Sequence, residues 1–213
     1  MISLRPYQEE AIREINTKWK DWQRELLVLP TGCGKTICFA ETIKRQNARN
    51  RRCLVLAHRQ ELLDQAADKI MQVTGLECVY EKAKQTSFES DSPITVGSVQ
   101  TMFRENRLNR FAPEYYKTIV VDEAHHCLSD TYQRVLNYFS DADVLGVTAT
   151  PDRGDKRKLG QYFDSCAYEY SLRQAVKDGY LSSVKAQMIP LEMDLSKVSI
   201  TSGDYSVSDI GIV

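Results

Sequence analysis

Paired cysteines and histidines, the usual ligands of structural zinc, are scarce in this sequence. Among 213 residues there are six cysteines, none of them spaced as C-x-x-C, and only three histidines. A zinc site of the usual ligand spacing is therefore not expected. The cysteines are scattered along the chain and do not indicate a disulfide framework. Free thiols in a reducing cytoplasm are the better interpretation.

Long apolar runs are also absent. No segment approaches the roughly 20 apolar residues that are needed to cross a bilayer. The N-terminus has no basic segment followed by an apolar one, which is the order of a secretory signal. We therefore expect no membrane partner.

Net charge is nearly absent as well. The 28 basic and 29 acidic residues give a formal net charge of -1, so overall charge provides no attraction to nucleic acid. A nucleic-acid partner would have to bind a local basic surface. A hydrophobic content of 42% and a charged content of 27% are typical of a soluble globular domain.

Short apolar segments alternate with amphipathic ones, and this alternation predicts the fold class. Six segments rich in valine, isoleucine and leucine are predicted as buried strands: 26–29, 53–57, 76–80, 94–97, 118–121 and 144–147. Helices are predicted from Pro6 and over residues 60–73, and a further strand over 184–191. An α/β fold follows, with a mainly parallel sheet and helices on both faces. Residues 1–190 are assigned to this domain and residues 191–213 to a linker or extension.

A candidate phosphate-binding loop follows the first predicted strand. Its residues are Pro30, Thr31, Gly32, Cys33, Gly34, Lys35 and Thr36. In this layout backbone N–H groups converge on phosphates, Lys35 reaches the outer phosphates, and the Thr36 hydroxyl is a ligand for Mg²⁺. The strict pattern has glycine where this chain has Leu29, so the loop alone does not distinguish a nucleotide site from a surface turn. The Cys33 thiol, near a helix N-terminus, is either acidified or an ordinary variable residue.

Acidic and hydroxyl side chains follow two later strands. Asp122 and Glu123 come directly after one, and Thr148 and Thr150 come after the other. The carboxyl ends of parallel strands meet at the edge of the sheet where ligands bind. One carboxylate there could hold Mg²⁺ while the other orients or deprotonates a water. The alternative is a helix N-cap with a first-turn acid, but beside a phosphate loop we prefer the catalytic interpretation.

The order of these motifs resembles that of a known family. Asp-Glu-Ala-His at 122–125, with Thr-Ala-Thr at 148–150 and the phosphate loop, is similar to the first RecA-like lobe of superfamily-two helicases of the DEAH kind. The resemblance extends from Leu4 to about Leu181. It implies that residues 1–190 form an ATP-binding, RecA-like P-loop NTPase domain.

The resemblance implies a role for each matched residue. Lys35 and Thr36 would bind ATP and Mg²⁺, Asp122 would organise the metal, and Glu123 would act on the attacking water. The residues expected to couple the nucleotide state to the grip on nucleic acid are His125, Thr148 and Thr150.

The segment from Leu4 to Gln8 resembles the adenine-recognition motif of the same family. Gln8 would pair with the adenine edge, because its amide both donates and accepts hydrogen bonds. Arg5 or Tyr7 would lie against the face of the adenine ring.

Two further segments, 57–62 and 96–101, resemble the family's strand-tracking motifs. The residues expected to contact the backbone of DNA or RNA are Arg59, Ser98, Gln100 and Thr101. An ion pair within the domain is the alternative for Arg59. The basic residues that follow on the same edge, and that either extend this contact or lie in solvent, are Arg104, Arg107 and Arg110.

The resemblance also implies a second RecA-like lobe of the same full-length protein, whose arginines complete the active site. No Gln-x-x-Gly-Arg-x-x-Arg segment occurs in these 213 residues. This chain alone is therefore expected to bind nucleotide but to hydrolyse ATP slowly. Two alternatives stay open. The first is a nucleic-acid-binding module that is switched by nucleotide and has no catalytic activity. The second is the motor subunit of a restriction complex, because Thr-Ala-Thr-Pro-Asp-Arg at 148–153 also resembles a segment of those chains.

Overall fold

Seven parallel strands form one sheet in the part of the chain that the computed structural model describes, namely residues 3–149, 159–183, 200–201 and 204–205. The strands are β1 (Arg24–Val28), β2 (Cys53–Ala57), β3 (Val79–Glu81), β4 (Ile94–Ser98), β5 (Thr118–Asp122), β6 (Asp143–Thr148) and β7 (Ser165–Glu169). Their order across the sheet is β3-β4-β2-β5-β6-β1-β7, with each neighbouring pair parallel. The predicted α/β class is confirmed.

Helices connect these strands and cover both faces of the sheet. They are α1 (Pro6–Lys18), α2 (Lys35–Asn47), α3 (Gln60–Thr74), α4 (Val99–Met102), α5 (Glu105–Leu108), α6 (Asp130–Tyr138) and α7 (Leu172–Lys177), with a 3₁₀ helix at Ala124–Leu128. The helix predicted over 60–73 is confirmed as α3. It ends at Gly75, whose φ of 74° is the left-handed conformation that commonly ends helices.

The sheet separates two hydrophobic cores, because successive strand residues point to opposite faces. Leu26 and Val28 of β1 pack in one core, and Leu27 packs in the other. The core containing Leu27 is built mainly from α1, α2 and α3, and includes Ile12, Ile15, Phe39, Ile43 and Ile70. The opposite core includes Tyr116, Tyr132, Phe139 and Phe163. Strands covered on both faces explain the continuous apolar runs in the sequence.

The two edge strands differ from the prediction. β3 begins at Val79, three residues later than the predicted start at 76, and β7 was not predicted at all. In β7 only Ala167 is buried, because this strand pairs with β1 alone at the edge of the sheet. An edge strand exposed to solvent does not need the apolar run by which buried strands are identified. The strand predicted over 184–191 lies outside the described residues.

The chain divides into two compact units, residues 1–182 and 183–213. In the second unit the described residues form a short antiparallel pair, β8 (Ile200–Thr201) and β9 (Asp204–Tyr205). The domain boundary predicted at residue 190 stays a prediction. Within the described part of the chain, none of the helices combines the length and apolar character required to span a membrane.

Candidate active site

The phosphate loop is shaped by two glycines between β1 and α2. Gly32 has φ 88° and Gly34 has φ 77°, in the left-handed region that glycine enters without steric cost. Gly34 is the N-cap residue of α2, and its carbonyl accepts hydrogen bonds from the N–H groups of Ile37 and Cys38. The loop therefore presents the N-terminus of a helix of 13 residues, which favours anions.

The predicted catalytic residues meet at this loop. A cavity of about 380 Å³ is lined by Thr31, Gly32, Gly34, Lys35, Thr36, Leu62, Gln65, Asp122 and Glu123. One cation, two carboxylates and two hydroxyls, those of Thr31 and Thr36, thus line a single space. Leu62 and Gln65, on α3, were not predicted as site residues. A polar side chain next to the apolar stripe of α3 was the only signal for Gln65, and it is indistinguishable from that of a solvent-facing residue.

Asp122 is the last residue of β5, and its carboxyl faces an environment that favours the neutral form. Burial, and then the nearby Glu123 carboxylate, raise the pKa of Asp122 above its usual range. The Glu123 backbone N–H, which donates to Asp122 Oδ1 at 3.0 Å, and the charge of Lys35 act in the opposite direction. A cation placed beside this carboxyl would offset both causes of the raised pKa.

Glu123 adopts a backbone conformation that is rare for a residue other than glycine. Its φ is 57° and its ψ is 64°. Its carbonyl accepts a hydrogen bond from the N–H of His126 at 3.0 Å, and its carboxylate lies 3.5 Å from His125 Nδ1. Strained backbone persists where the surrounding structure holds it, and it is concentrated at functional sites. Glu123 lines the cavity together with Lys35.

The segment Arg5 to Gln8 contacts the phosphate loop directly. Tyr7 Oη and Gln8 Nε2 both donate to the Cys33 carbonyl, at 2.9 and 3.0 Å. Tyr7 is only 5% exposed and stacks on Tyr170 with ring centroids 4.4 Å apart. One face of the Tyr7 ring is thus covered by Tyr170, and a contact of Tyr7 with adenine stays a prediction. The adenine contacts of Arg5 and Gln8 stay predictions.

The backbone carbonyl of Cys33 accepts the hydrogen bonds that hold the loop, whereas its thiol is buried. The residue is fully buried, and burial raises the pKa of the thiol above its usual range. The hypothesis of an acidified thiol is therefore wrong. Burial disfavours the thiolate more than the Tyr7 hydroxyl and the charges of Arg5 and Lys35 favour it.

Alanine at position 34 is expected to disturb the loop. An added Cβ would lie 2.5 Å from Gln8 Nε2, so the amide would have to leave the Cys33 carbonyl. The positive φ costs a further ~1 kcal/mol for a residue with a side chain. We expect Gly34→Ala to weaken ADP binding at least about threefold, in line with a loss on the order of 1 kcal/mol, measured by titration.

Gly75→Ala is the matched control for this variant. It has a similar φ of 74°, and nothing lies within 4 Å of its added Cβ. It should lose stability without losing ADP affinity. An equal loss of affinity in both variants would contradict the role of the contact between Gln8 and the loop.

The expected coupling residues occupy different environments. Thr148 ends β6, is 4% exposed, and its carbonyl accepts a hydrogen bond from the N–H of Leu29, just before the phosphate loop. His125 follows Glu123 in the 3₁₀ helix, and its side chain is 43% exposed. Thr150 lies outside the described residues. Thr148 thus lies directly beside the loop, and His125 beside the second carboxylate.

The expected nucleic-acid residues follow β2 and β4 at the same edge of the sheet. Arg59 is exposed at the N-terminus of α3. Ser98 Oγ donates to Gln100 Oε1 at 2.7 Å, and Gln100 Nε2 donates to the His58 carbonyl at 3.0 Å. These contacts join the two segments that the sequence predicts to track a strand.

Two residues of this predicted surface make contacts within the domain. Thr101 is only 6% exposed, and its hydroxyl accepts a hydrogen bond from the N–H of Ala83 at 3.0 Å. Arg107 pairs with the fully buried Glu81 at 2.6 Å and donates to the carbonyls of Ala83 and Gln85. Both residues hold the connection after β3, and a contact of Thr101 with nucleic acid stays a prediction. Arg104 and Arg110 are exposed.

A helix N-terminus, a lysine and a pair of carboxylates converge on one cavity at the carboxyl edge of a parallel sheet, and this arrangement defines a RecA-like P-loop NTPase domain. Comparison with known proteins identifies the family. The family described as "Type III restriction enzyme, res subunit" matches residues 1–153, and the chain belongs to it.

Individual relatives agree with this assignment. IRC3, a Saccharomyces cerevisiae protein assigned as an ATP-dependent helicase, is 33% identical over 97% of this chain and 32% of its own length. The type I restriction enzyme EcoAI endonuclease subunit of Escherichia coli is 29% identical over 97% of this chain and 26% of its own length. The UvsW helicase of bacteriophage T4 shares the fold, with a TM-score of 0.63 and 17% identity over 78% of this chain and 60% of that chain. This chain thus spans a third or less of the length of the two curated relatives.

Proposed function

We propose that this chain is the ATP-binding lobe of a helicase or translocase of the DEAH kind, which couples ATP hydrolysis to movement along, or remodelling of, nucleic acid. The observation that carries the proposal is the single cavity in which Lys35, Thr36, Asp122 and Glu123 meet. Such a space satisfies the needs of phosphoryl transfer, which depends on positioning and on charge stabilisation.

The donor set fits ATP with Mg²⁺. The Asp122 carboxyl and the Thr36 hydroxyl are oxygen donors in the same cavity, and oxygen ligands are those that Mg²⁺ prefers. Among the described residues there is no group of three or more His, Cys, Asp or Glu side chains able to hold a metal ion. When bound, Mg²⁺ neutralises charge on the phosphates.

Lys35, Glu123 and a second RecA-like lobe would have different roles in ATP hydrolysis. Lys35 would hold the outer phosphates, and Glu123 would orient the attacking water and accept its proton. Arginines of a second RecA-like lobe would stabilise the developing charge, and such arginines raise rates by several orders of magnitude in related enzymes. Because these 213 residues contain no Gln-x-x-Gly-Arg-x-x-Arg segment, we propose that the chain alone binds ATP but hydrolyses it slowly.

DNA is the polymer we propose. One relative, the DNA 3'-5' translocase XPB2 of Sulfurisphaera tokodaii, carries a name that refers to DNA. Arg59, Ser98 and Gln100 offer one charge, a hydroxyl and an amide at the edge that also carries the nucleotide cavity. Groups of this kind hold phosphate and sugar without reading bases, as a moving motor requires.

The location is proposed from the cysteines. All six thiols are free, and four of them are buried. Free thiols fit a reducing compartment, and we propose the cytoplasm.

Alanine in place of Lys35 tests the nucleotide site. The charged hydrogen bond that Lys35 would make to a phosphate contributes about 1.5–3 kcal/mol, so ADP affinity should fall by about 10-fold or more. Titration of the purified chain with a fluorescent ADP analogue measures this. Lys20→Ala, which removes an exposed lysine elsewhere, is the control and should bind as the wild type does. Equal affinity of all three proteins would refute the proposed site.

Nucleic-acid stimulation separates the candidate functions. In a protein that carries this lobe and its second lobe, ATP hydrolysis is measured alone and with single-stranded DNA, duplex DNA or single-stranded RNA. Stimulation by DNA above RNA supports the proposal, and stimulation by RNA alone contradicts the choice of DNA. Binding of DNA that responds to nucleotide without any hydrolysis would favour the switched binding module instead.

A further inference from the structure

All three histidines of the protein meet in one cluster. His58 follows β2, whereas His125 and His126 lie in the 3₁₀ helix after β5. The ring centroid of His126 lies 4.1 Å from that of His58 and also 4.1 Å from that of His125. His126 therefore contacts both of the other rings. His58 and His126 are 68 residues apart in the sequence, and the fold brings them together.

One end of this cluster borders the nucleotide cavity. A second cavity, of about 230 Å³, is lined by His58, Arg59, Leu62, Glu123, His125 and His126. Leu62 and Glu123 also line the nucleotide cavity. Glu123 thus stands between the two cavities, and its carboxylate is 3.5 Å from His125 Nδ1.

The other end of the cluster contacts the expected nucleic-acid residues. The His58 carbonyl accepts the Gln100 amide at 3.0 Å, and Gln100 in turn accepts the Ser98 hydroxyl. Arg59 is the next residue after His58 and is the N-cap residue of α3. His58 Nδ1 is buried with no hydrogen-bond partner in the described structure. The ring of His58 contacts that of His126.

The cluster favours neutral rings. Burial, and then neighbouring positive charge, lower the pKa of both His58 and His126. Arg59 and His125 face these two rings and disfavour their protonation, and His58 disfavours that of His126. Glu123 faces both rings and favours their protonation. From α6, the ring of Tyr132 lies parallel to that of His126, with centroids 6.3 Å apart. Protonation in acid would place like charges in contact and push the rings apart.

We propose that His126 and His58 are positioning residues that couple the nucleotide site to the nucleic-acid contacts. A shift of Glu123 and His125 on binding nucleotide would move His126 and, through it, His58 and the segment that carries Arg59 and Gln100. The inference rests on the proposed function, since it needs both ligands to bind. Neither histidine touches nucleotide or nucleic acid in this scheme.

Coupling of this kind is measured as a ratio of affinities. If nucleic acid changes the affinity for nucleotide by some factor, nucleotide changes the affinity for nucleic acid by the same factor. The 213-residue chain is titrated with a fluorescent, non-hydrolysable ATP analogue in the absence and presence of saturating single-stranded DNA of 20 nucleotides. The ratio of the two dissociation constants is the coupling factor.

His126→Ala should reduce the coupling factor at least about threefold toward one, because the variant lacks the ring that contacts both His58 and His125. Coupling factors between sites are typically about 5 to 150, so a change of this size is measurable. The affinity for each ligand alone should stay within about twofold. His126→Phe keeps a ring against His58 and should retain more coupling than alanine does. Asn109→Ala, at an exposed position outside both cavities, should leave the factor unchanged.

The pH dependence provides a readout that a purely structural role would not change. Because the pKa values of His58 and His126 are lowered, these two rings are neutral at pH 8 and gain charge only as the pH falls below the usual histidine pKa of about 6.5. The wild-type factor should therefore fall toward one as the pH is lowered from 7 to 5.5, and that of His126→Phe should fall less. An unchanged factor in His126→Ala, or a wild-type factor of one, would overturn the inference. Failure of the wild-type chain to bind the ATP analogue at all would overturn the proposed function itself and the inference with it.

Discussion

Glutamine in place of Glu123 is expected to slow ATP hydrolysis by about 100-fold or more, because a general base contributes about 10²–10⁴ in rate. The amide has the same shape as the carboxylate but cannot accept a proton from water. Glu123 lines the cavity with Lys35 and Asp122 and is held there by its backbone contacts. Nucleotide affinity should therefore stay within about threefold of the wild-type value. Phosphate release in a single turnover, in a protein with both lobes, measures the rate.

Glu89→Gln is the control for this experiment, since Glu89 is exposed and lies outside the nucleotide cavity. It should hydrolyse ATP at the wild-type rate. Wild-type hydrolysis by Glu123→Gln would instead exclude Glu123 as the base. If nucleotide-dependent DNA binding also persisted, the lobe would act as a switch rather than as a motor.

Alanine in place of Arg107 is expected to lower the free energy of unfolding by about 3–5 kcal/mol, the usual cost of leaving a buried charge without its partner. The Glu81 side chain is fully buried and that of Arg107 is 14% exposed. Glu81 Oε2 also accepts hydrogen bonds from Thr86 Oγ and from the N–H and hydroxyl of Ser87. Without the guanidinium, the buried Glu81 carboxylate would keep these neutral hydrogen-bond donors but would lose the positive charge beside it. Urea unfolding measures the loss.

The double variant Arg107→Ala with Glu81→Gln separates charge from packing. A neutral amide does not need a cation, so the double variant should recover part of the stability that the single variant loses. Arg110→Ala removes an exposed arginine nearby and should change stability by less than about 0.5 kcal/mol. If Arg107→Ala were equally neutral but weakened DNA binding, Arg107 would belong to the nucleic-acid surface after all.

The central strands could be predicted from the sequence because they are buried on both faces. β2 was predicted with its observed bounds, and β4, β5 and β6 to within one residue at each end. Prediction failed at the edges of the sheet. β7 pairs on one side only and contains just one buried residue, Ala167, so its sequence does not differ from that of a polar loop.

The residues that line the site could be predicted where residue type and strand order decide their position. They could not be predicted where side-chain packing decides it. Lys35, Thr36, Asp122 and Glu123 follow strands whose carboxyl ends meet at one edge, so topology alone brings them together. Whether Tyr7 faces a ligand depends on Tyr170, which is distant in sequence and was not part of any motif. The contact between His58 and His126 likewise depends on the order of β2 and β5, which only the sheet topology reveals.

The burial of Cys33 protects the phosphate loop from oxidation. Peroxide and other oxidants attack the thiolate, and susceptibility follows thiolate character and exposure. Cys33 has neither, because its side chain is fully buried and its thiol pKa is raised. An exposed thiol at this position would allow oxidative stress to inactivate the ATP site. Here the loop carries a cysteine without becoming a redox sensor, and it owes that resistance to the packing of α1 and α2 around it.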